Sequence, residues 1–146
     1  MSMHFSPFFT SCFFLHCSSK HLTFQLLEST MSRNYLSKDN ELRKGDFLQS
    51  NNKEWKAVFQ DDGNFVIYGW KPFWSADTNS ANAYRLCMQG DCNLVMYKQD
   101  GGPMWQTNTA KPSCNMCQVK LTDHGDLVLQ KDGVELWSSK NSKGMK

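Results

Sequence analysis

One nine-residue pattern occurs twice in this chain and constrains its fold more than any other feature. Residues 60–68 read QDDGNFVIY and residues 89–97 read QGDCNLVMY, so both copies fit Q-x-D-x-N-x-V-x-Y at all five fixed positions. In each copy, residues that favour tight turns occupy the centre and β-forming residues flank them. The repeat therefore predicts two β-hairpins of the same design.

The first hairpin is expected to gather polar side chains on one face. The period of two in a strand places Asn64, Val66 and Tyr68 together, and Gln60 and Asp62 lie just across the turn. The result is a shallow patch with a carboxylate, two carboxamides and a phenol around one aliphatic side chain. The polar groups can pair with adjacent hydroxyls while valine contacts the C–H side of a sugar ring. The pattern thus predicts a polyol-binding site.

The second copy repeats this set and a third copy has lost most of it. The second set is Gln89, Asp91, Asn93, Val95 and Tyr97. When Gly125 is aligned with Gly63, the third set is Thr122, His124, Asp126, Val128 and Gln130. Only the valine is retained there, so we expect a folded hairpin with little or no sugar binding, and we interpret His124 as an exposed turn residue.

A larger repeat encloses these hairpins. Each is followed by a tryptophan, namely Trp74, Trp105 and Trp137, at spacings of 31 and 32 residues. A repeat of this length cannot bury its own apolar face, so three copies must pack around a shared interior. We therefore predict an all-β domain with pseudo-threefold symmetry and the three tryptophans near its axis.

Charge and motif content exclude several function classes. The net charge is only +2, with 16 Lys and Arg against 14 Asp and Glu, so no basic face for nucleic acid is expected. No nucleophile elbow, P-loop or H-E-x-x-H is present. Asp62 and Asp91 could be imagined as a glycosidase pair, but pseudo-symmetry should hold them far apart. Binding without catalysis or cofactor is favoured, with a purely structural role as the alternative.

Residues 1–33 differ from the rest and are predicted to be an arm outside the domain at residues 34–143. The apolar run at residues 5–15 is too short to span a bilayer, so no membrane insertion is expected. It is interrupted by Pro7 and preceded by no Lys or Arg, which makes it a poor secretion signal. A disordered arm, or an upstream extension with Met31 as the usual start, are the alternatives. We expect an extracellular or mucus-secreted protein, with a cytoplasmic location as the alternative because the signal is weak.

The two motifs, the degenerate third and the three tryptophans closely resemble the bulb-type mannose-binding lectin domain, first known from snowdrop, and particularly its fish members. The resemblance implies a β-prism II of three four-stranded antiparallel sheets, with D-mannose or high-mannose glycans as ligands. It implies that the motif glutamines contact the 3-hydroxyl, the tyrosines the 4-hydroxyl, and the valines the apolar wall. Each aspartate–asparagine pair would grip the axial 2-hydroxyl, which gives Asp62 and Asp91 the specificity role. Related proteins pair by exchanging the final strand, here residues 137–143, so a homodimer is expected.

Four of the six cysteines lie within the predicted domain. By the same resemblance, Cys92 and Cys117 match the disulfide of similar lectins, which leaves Cys87 and Cys114 as a candidate second pair. Two rival interpretations use the same thiols: a structural zinc held by all four, or a redox C-x-x-C at residues 114–117. Both are disfavoured, because the zinc spacing is irregular and no βαβ pattern surrounds the C-x-x-C.

Overall fold

The computed structural model describes residues 33–112 and 114–146, and this part of the chain contains twelve β-strands and no helix. The predicted arm at residues 1–33 lies outside it except for Arg33, and the predicted domain bounds of 34–143 stay a prediction. The described residues include no helix long and apolar enough to cross a bilayer.

The strands form three antiparallel sheets of four strands each, as the resemblance implies. Sheet I has the order β3 (Phe47–Gln49), β4 (Lys56–Phe59), β5 (Phe65–Tyr68) and β6 (Pro72–Ser75). Sheet II has the order β2 (Asn40–Arg43), β7 (Ala83–Met88), β8 (Leu94–Lys98) and β9 (Pro103–Gln106). Sheet III has the order β1 (Tyr35–Ser37), β10 (Cys117–Leu121), β11 (Leu127–Lys131) and β12 (Val134–Ser138).

Each of the first three strands joins a different sheet. The sequence predicts a strand over Leu42–Leu48 that is interrupted by a bend at Gly45; the interruption is present, but the two segments are separate strands in different sheets. Gly45 adopts φ +90°, and the Asp46 side chain accepts a hydrogen bond from the Arg43 backbone N–H at 2.7 Å. This closed turn ends β2 in sheet II and begins β3 in sheet I. A left-handed glycine makes the corner sharp enough to change sheets.

The three sheets share one core. Leu36, Leu42 and Leu48, one from each of the first three strands, are at most 1% exposed. The three tryptophan rings meet edge to face, with centroids 6.0–6.4 Å apart, in the geometry that aromatic quadrupoles prefer. The prediction that the three tryptophans pack together is confirmed.

A β-bulge recurs at the same place in all three sheets. The pairing register shifts after Ile67, Met96 and Leu129. At each shift, the last strand of the sheet contains one residue that has no partner on the neighbouring strand. In sheets I and II the next residue of the middle strand is the motif tyrosine. Bulges bend a strand and redirect its side chains, which makes them frequent beside functional sites.

The end of the chain returns to sheet II. Met145 forms a bridge with Gln106 at the end of β9, and the Trp105 indole N–H donates to the Lys143 carbonyl at 2.7 Å. Gly144 is required at this approach, because a Cβ there would lie 2.6 Å from the Trp105 ring. Residues beyond the last full strand therefore also pack onto the domain.

Candidate functional site

Two hairpins carry the predicted side chains. We call the set on β4–β5 site 1, which comprises Gln60, Asp62, Asn64, Val66 and Tyr68. We call the set on β7–β8 site 2, which comprises Gln89, Asp91, Asn93, Val95 and Tyr97. On β5 and β8, the strand residues that alternate with the motif belong to the shared core, whereas the valines do not. The motif face therefore lies on the outer side of each sheet.

The glutamine and tyrosine of each motif are hydrogen-bonded across the hairpin. Gln60 Nε2 donates to the Tyr68 hydroxyl, and Gln89 Nε2 donates to the Tyr97 hydroxyl. This bond fixes which amide atom faces the phenol. It leaves the glutamine Oε1 as an acceptor and the phenolic proton as a donor, which is the pairing that two neighbouring hydroxyls require.

The aspartates organise the turns. Asp62 Oδ1 accepts from the Asn64 backbone N–H at 2.9 Å, and Asp91 Oδ1 accepts from that of Asn93 at 3.0 Å. Such bonds from an aspartate to the backbone two residues on stabilise tight turns. Both aspartates are exposed, so their carboxylates keep lone pairs for a ligand.

The asparagine of site 1 has its amide orientation fixed by its neighbours. Asn64 Oδ1 accepts from Ser75 Oγ at 3.1 Å and from the Thr78 backbone N–H at 3.0 Å. Within the described part of the chain, no hydrogen bond uses Asn64 Nδ2. Since this residue is still 8% exposed, its N–H₂ group is the donor that site 1 offers beside the Asp62 carboxylate.

The asparagine of site 2 is held in the same way but is more fully bonded. Asn93 Oδ1 accepts from Thr107 Oγ1 at 3.0 Å and from the Thr109 backbone N–H at 3.2 Å. Its Nδ2 also donates to Gln106 Oε1 at 2.8 Å. Gln106 occupies the register position of Ser75, opposite the motif valine. Site 2 therefore has one donor engaged that site 1 leaves open.

Two threonines support the sites and do not belong to the motif. Thr78 Oγ1 donates to the Gly63 carbonyl at 3.0 Å, and Thr109 Oγ1 donates to the Cys92 carbonyl at 2.6 Å. Sequence analysis missed both. The sequence does contain a signal for them, namely a threonine four residues after the tryptophan in the first two copies. The third copy has Asn141 at that position.

The valines form the floors of the two sites. Val66 is 4% exposed and Val95 is 3% exposed. Each lies between strand neighbours on the outer face, opposite Val58 and Cys87 respectively. A ligand would therefore meet a small apolar floor beneath polar rims, as in most small-molecule sites.

The third hairpin builds its turn differently. Thr122 Oγ1, at the glutamine position, accepts from the Asp126 backbone N–H at 3.1 Å. The hydroxyl thus makes the turn bond that aspartate makes in the other two copies. His124, at the aspartate position, is exposed. The acceptor and donor set of sites 1 and 2 is not present at this hairpin.

Three cysteines meet beside site 2. Cys92, Cys114 and Cys117 are buried, and their sulfurs are mutually close. Only one pair can be bonded at a time, so the predicted Cys92–Cys117 disulfide stays a prediction. Its Cα atoms are 5.3 Å apart, within the usual range. Cys92 adopts φ +69°, at the turn position that glycine holds in the other copies.

Cys87 lies outside this cluster. It is a free thiol that donates to Glu41 Oε2 at 3.4 Å. The candidate Cys87–Cys114 pair is therefore wrong, and so is a zinc site that uses all four cysteines. The reason is the strand period: Cys87 points to the outer face of β7, among the side chains opposite Val95.

Comparison with known proteins agrees with this geometry. The chain is 62% identical over 113 residues to the B-type lectin plumieribetin of the fish Scorpaena plumieri, covering 77% of this chain and 100% of that protein. It is 45% identical over 58 residues to the mannose-specific lectin TAR1 of Colocasia esculenta, covering 39% of this chain and 23% of that protein. No family model matches.

Solved structures show the same fold. The snowdrop (Galanthus nivalis) mannose-specific agglutinin complexed with methyl-α-D-mannoside superposes with a TM-score of 0.60 and 27% identity, covering 75% of this chain and 97% of that one. A monomeric mannose-binding lectin from Gastrodia elata gives 0.65 and 26%, covering 73% and 96%. All four of these proteins are named as lectins or agglutinins. Since plumieribetin is matched over its whole length, the chain belongs to the B-type lectin family of carbohydrate-binding proteins, whose fold is the β-prism II.

Proposed function

We propose that this protein binds terminal D-mannose on high-mannose glycans through sites 1 and 2, without catalysis. The observation that carries the proposal is the same constellation in two sheets. In each, a glutamine–tyrosine pair offers an acceptor and a donor, and an exposed aspartate stands beside an asparagine whose amide oxygen is already held. Relatives named as mannose-specific lectins support the choice of sugar.

The axial 2-hydroxyl of mannose distinguishes it from glucose, and the aspartate–asparagine pair is suited to reading it. A hydroxyl can donate to the carboxylate and accept from an amide N–H₂ at once. The glutamine and tyrosine then serve two further hydroxyls, and the valine floor contacts the ring carbons. A sugar without this hydroxyl geometry leaves a polar group unpaired, which is a costly mismatch.

Affinity at each site is expected to be low, and valency compensates for it. Four hydrogen bonds worth about 1 kcal/mol each give roughly −4 kcal/mol, which corresponds to a millimolar dissociation constant. Two sites on one chain can raise the avidity for clustered glycans by about 10² to 10⁴ where spacing permits. The protein is thus suited to mannose-dense surfaces, such as those of microbes, and to a role in defence.

The test is retention on mannose-agarose. The double variant Asp62→Ala, Asp91→Ala should lose retention while its circular dichroism spectrum stays that of a folded β protein. A matched control is His124→Ala, at the corresponding position of the third hairpin, which should be retained like the parent. Retention of the double variant at the level of the parent would show that the sites are assigned wrongly.

Specificity is tested separately on a glycan array. Terminal α-mannose should give stronger signals than glucose or galactose, because only mannose presents the axial 2-hydroxyl together with the equatorial 3- and 4-hydroxyls. Equal binding to galactose would contradict the role given to Asp62 and Asp91.

Location and assembly belong to the same proposal. A disulfide among the three clustered cysteines suits an oxidising compartment, so we place the protein outside the cell. Exchange of the last strand would make a homodimer with twice the valency. Detection of the full chain in the medium of expressing cells tests the location, and its absence from the medium would contradict it. Native mass spectrometry then tests the disulfide through its mass loss and the homodimer through the stoichiometry.

A further inference from the structure

A groove adjoins site 2. It lies between the glutamine–tyrosine pair of that site and the turn from β1 to β2, with a volume of about 330 Å³. This volume lies at the lower end of the range for small-molecule sites. The lining side chains that bear on its chemistry are Asp39, Glu41, Arg85, Cys87, Gln89 and Tyr97.

Charged groups form the wall of this groove. Arg85 Nη1 lies 3.5 Å from Glu41 Oε2, and its guanidinium lies 5.0 Å from the centre of the Tyr97 ring. Glu41 also pairs with Arg43 and accepts a hydrogen bond from the Cys87 thiol. The site tyrosine and the groove arginine are therefore in contact, which makes the groove continuous with site 2.

The corresponding surface beside site 1 consists of two apolar side chains and a lysine, with no acidic group among them. The register of the sheets aligns Glu41 with Phe47 and Cys87 with Val58. Lys56, at the position of Arg85, lies 4.4 Å from the centre of the Phe47 ring and covers it. Site 1 therefore has no carboxylate at the place where site 2 has Glu41.

The chemistry of the groove fits a neutral polyol. Glu41 supplies an acceptor and Arg85 supplies donors, and their side chains are 32% and 40% exposed. An ion pair this exposed contributes little, so hydroxyl groups can replace it. The lining has two carboxylates, Asp39 and Glu41, and one guanidinium, Arg85. Arg43 pairs with Glu41 from outside the lining, so these four charges balance, which favours a neutral ligand over an anion or a cation.

We infer that the groove is a subsite for a second sugar unit, so that site 2 binds a mannose-terminated disaccharide more tightly than a monosaccharide and site 1 does not. This inference rests on the proposed function. One or two additional hydrogen bonds, less the cost of ordering the second ring, correspond to about fivefold to tenfold in affinity.

The experiment isolates each site in the full chain. With Asp62→Ala to silence site 1, isothermal titration should give α-linked mannobioses a dissociation constant about fivefold to tenfold below that of methyl α-mannoside. With Asp91→Ala to silence site 2, the two ligands should differ by less than about twofold. The sharpest variant adds Glu41→Phe and Cys87→Val to Asp62→Ala, which installs the residues found beside site 1. It should remove the preference for the disaccharide and leave methyl α-mannoside binding unchanged.

The outcomes separate this inference from the function on which it rests. If the parent binds no methyl α-mannoside, the proposed function fails and the subsite fails with it. If methyl α-mannoside binds but site 2 shows no disaccharide preference, or if the preference survives the two groove substitutions, only the subsite is overturned.

Cys87 provides a measurement on the unaltered protein. Its alkylation at pH 10, followed by peptide mass mapping, should be slowed by mannobiose more than by methyl α-mannoside, and equal protection by both would contradict the subsite.

Discussion

Sites 1 and 2 share five motif side chains, yet they differ in the residues that hold those side chains. In site 1 the asparagine amide N–H₂ is open, whereas in site 2 it is bonded to Gln106. Conversely, the Asp62 carboxylate accepts a hydrogen bond from Asn79 Nδ2 at 3.0 Å. Within the described residues, no side chain donates a hydrogen bond to the Asp91 carboxylate. Identical motifs therefore present different free donors and acceptors, and the difference comes from strands and loops outside the motif.

The turns of the two sites also differ at one residue. Gly63 and Cys92 occupy the same position, and both adopt positive φ, at +81° and +69°. In site 2 a side chain fits there and reaches the cysteine cluster. In site 1 the backbone of the following loop covers the position, because the Ser80 backbone N–H donates to the Asp62 carbonyl at 2.8 Å. A side chain is therefore tolerated at this position in site 2 but should destabilise the turn of site 1.

The largest expected effect comes from Gly63→Ala. A Cβ at this position would lie 2.1 Å from the Ser80 carbonyl oxygen and 2.7 Å from Ala83 Cβ. The left-handed backbone adds strain to this clash, so we expect a loss of roughly 3–5 kcal/mol in the free energy of unfolding. Urea denaturation followed by tryptophan fluorescence measures it.

Gly101→Ala is the matched control for this substitution. Gly101 has φ +88°, but a Cβ at this position would meet no atom within 4 Å, so only the backbone strain of about 1–2 kcal/mol remains. Equal losses for the two variants would show that the loop moves away from Gly63 at little cost. The turn at Gly63 would then tolerate a side chain as well as the exposed turn at Gly101 does.

The next largest effect concerns the cysteine cluster beside site 2. The double variant Cys114→Ser, Cys117→Ser removes both partners of Cys92, and with them a bridge that closes a loop of 22 or 25 residues. The expected cost is about 3 kcal/mol, which lowers the melting temperature by roughly 10 °C. Site 2 should also weaken, because Cys92 lies between Asp91 and Asn93, whereas site 1 should keep its affinity.

Single variants identify the native pairing in this cluster. If Cys92 pairs with Cys117, then Cys114→Ser should keep the melting temperature of the parent, and non-reducing peptide mapping should recover the 92–117 bridge. If Cys114→Ser alone costs as much as the double variant, the native bridge uses Cys114. Affinity at site 2, measured in the Asp62→Ala background, shows whether the bridge supports that turn.

The fold was predictable where local chemistry decides it. Turn residues at the centre of each motif and tryptophans at near-equal spacing were enough to predict the hairpins, the pseudo-threefold packing and the aromatic centre, whereas the three four-stranded sheets were implied by the family resemblance. The assignment of β1, β2 and β3 to three different sheets was not. These strands are three or four residues long and carry no repeat, and Leu36 pairs with Val119, far along the chain. Such pairing depends on the assembled core and not on local sequence.

The placement of the motif side chains on one face of each hairpin was predictable for the same reason, whereas their role in sugar binding stays a prediction. All five side chains of each site come from one hairpin, so a period of two was sufficient to place them on one face. Gln106 and Asn79 act from a neighbouring strand and a loop, where nothing in the sequence marks them. Their contacts are tertiary, and they became visible only when the strands were brought into register.

A smaller effect is expected when the asparagine environments are exchanged. Gln106→Ser gives site 2 the serine of site 1 and frees Asn93 Nδ2. One recovered hydrogen bond of about 1 kcal/mol should tighten mannose binding at site 2 about fivefold. Ser75→Gln should weaken site 1 by a similar factor. Titrations in the Asp62→Ala and Asp91→Ala backgrounds measure the two sites separately, and an unchanged affinity in both would mean that the Gln106 bond does not compete with the ligand.

The smallest expected effect is a pH dependence confined to the groove of site 2. Partial burial, followed by the hydrogen bond to Glu41, raises the pKa of the Cys87 thiol from 9.0 to about 11. A raised thiol pKa means that the folded protein keeps this proton between pH 9 and 11 while the unfolded chain releases it. Stability from this group is therefore complete below pH 9 and is lost as the pH rises towards 11. Cys87→Val, the residue type at the matching position of site 1, should remove this part of the alkaline loss, and alkylation of Cys87 should reach half its maximal rate near pH 11. A half-maximal rate near pH 9 would mean that neither burial nor the Glu41 carboxylate shifts the pKa of this thiol, which would contradict the position of Cys87 in the groove of site 2.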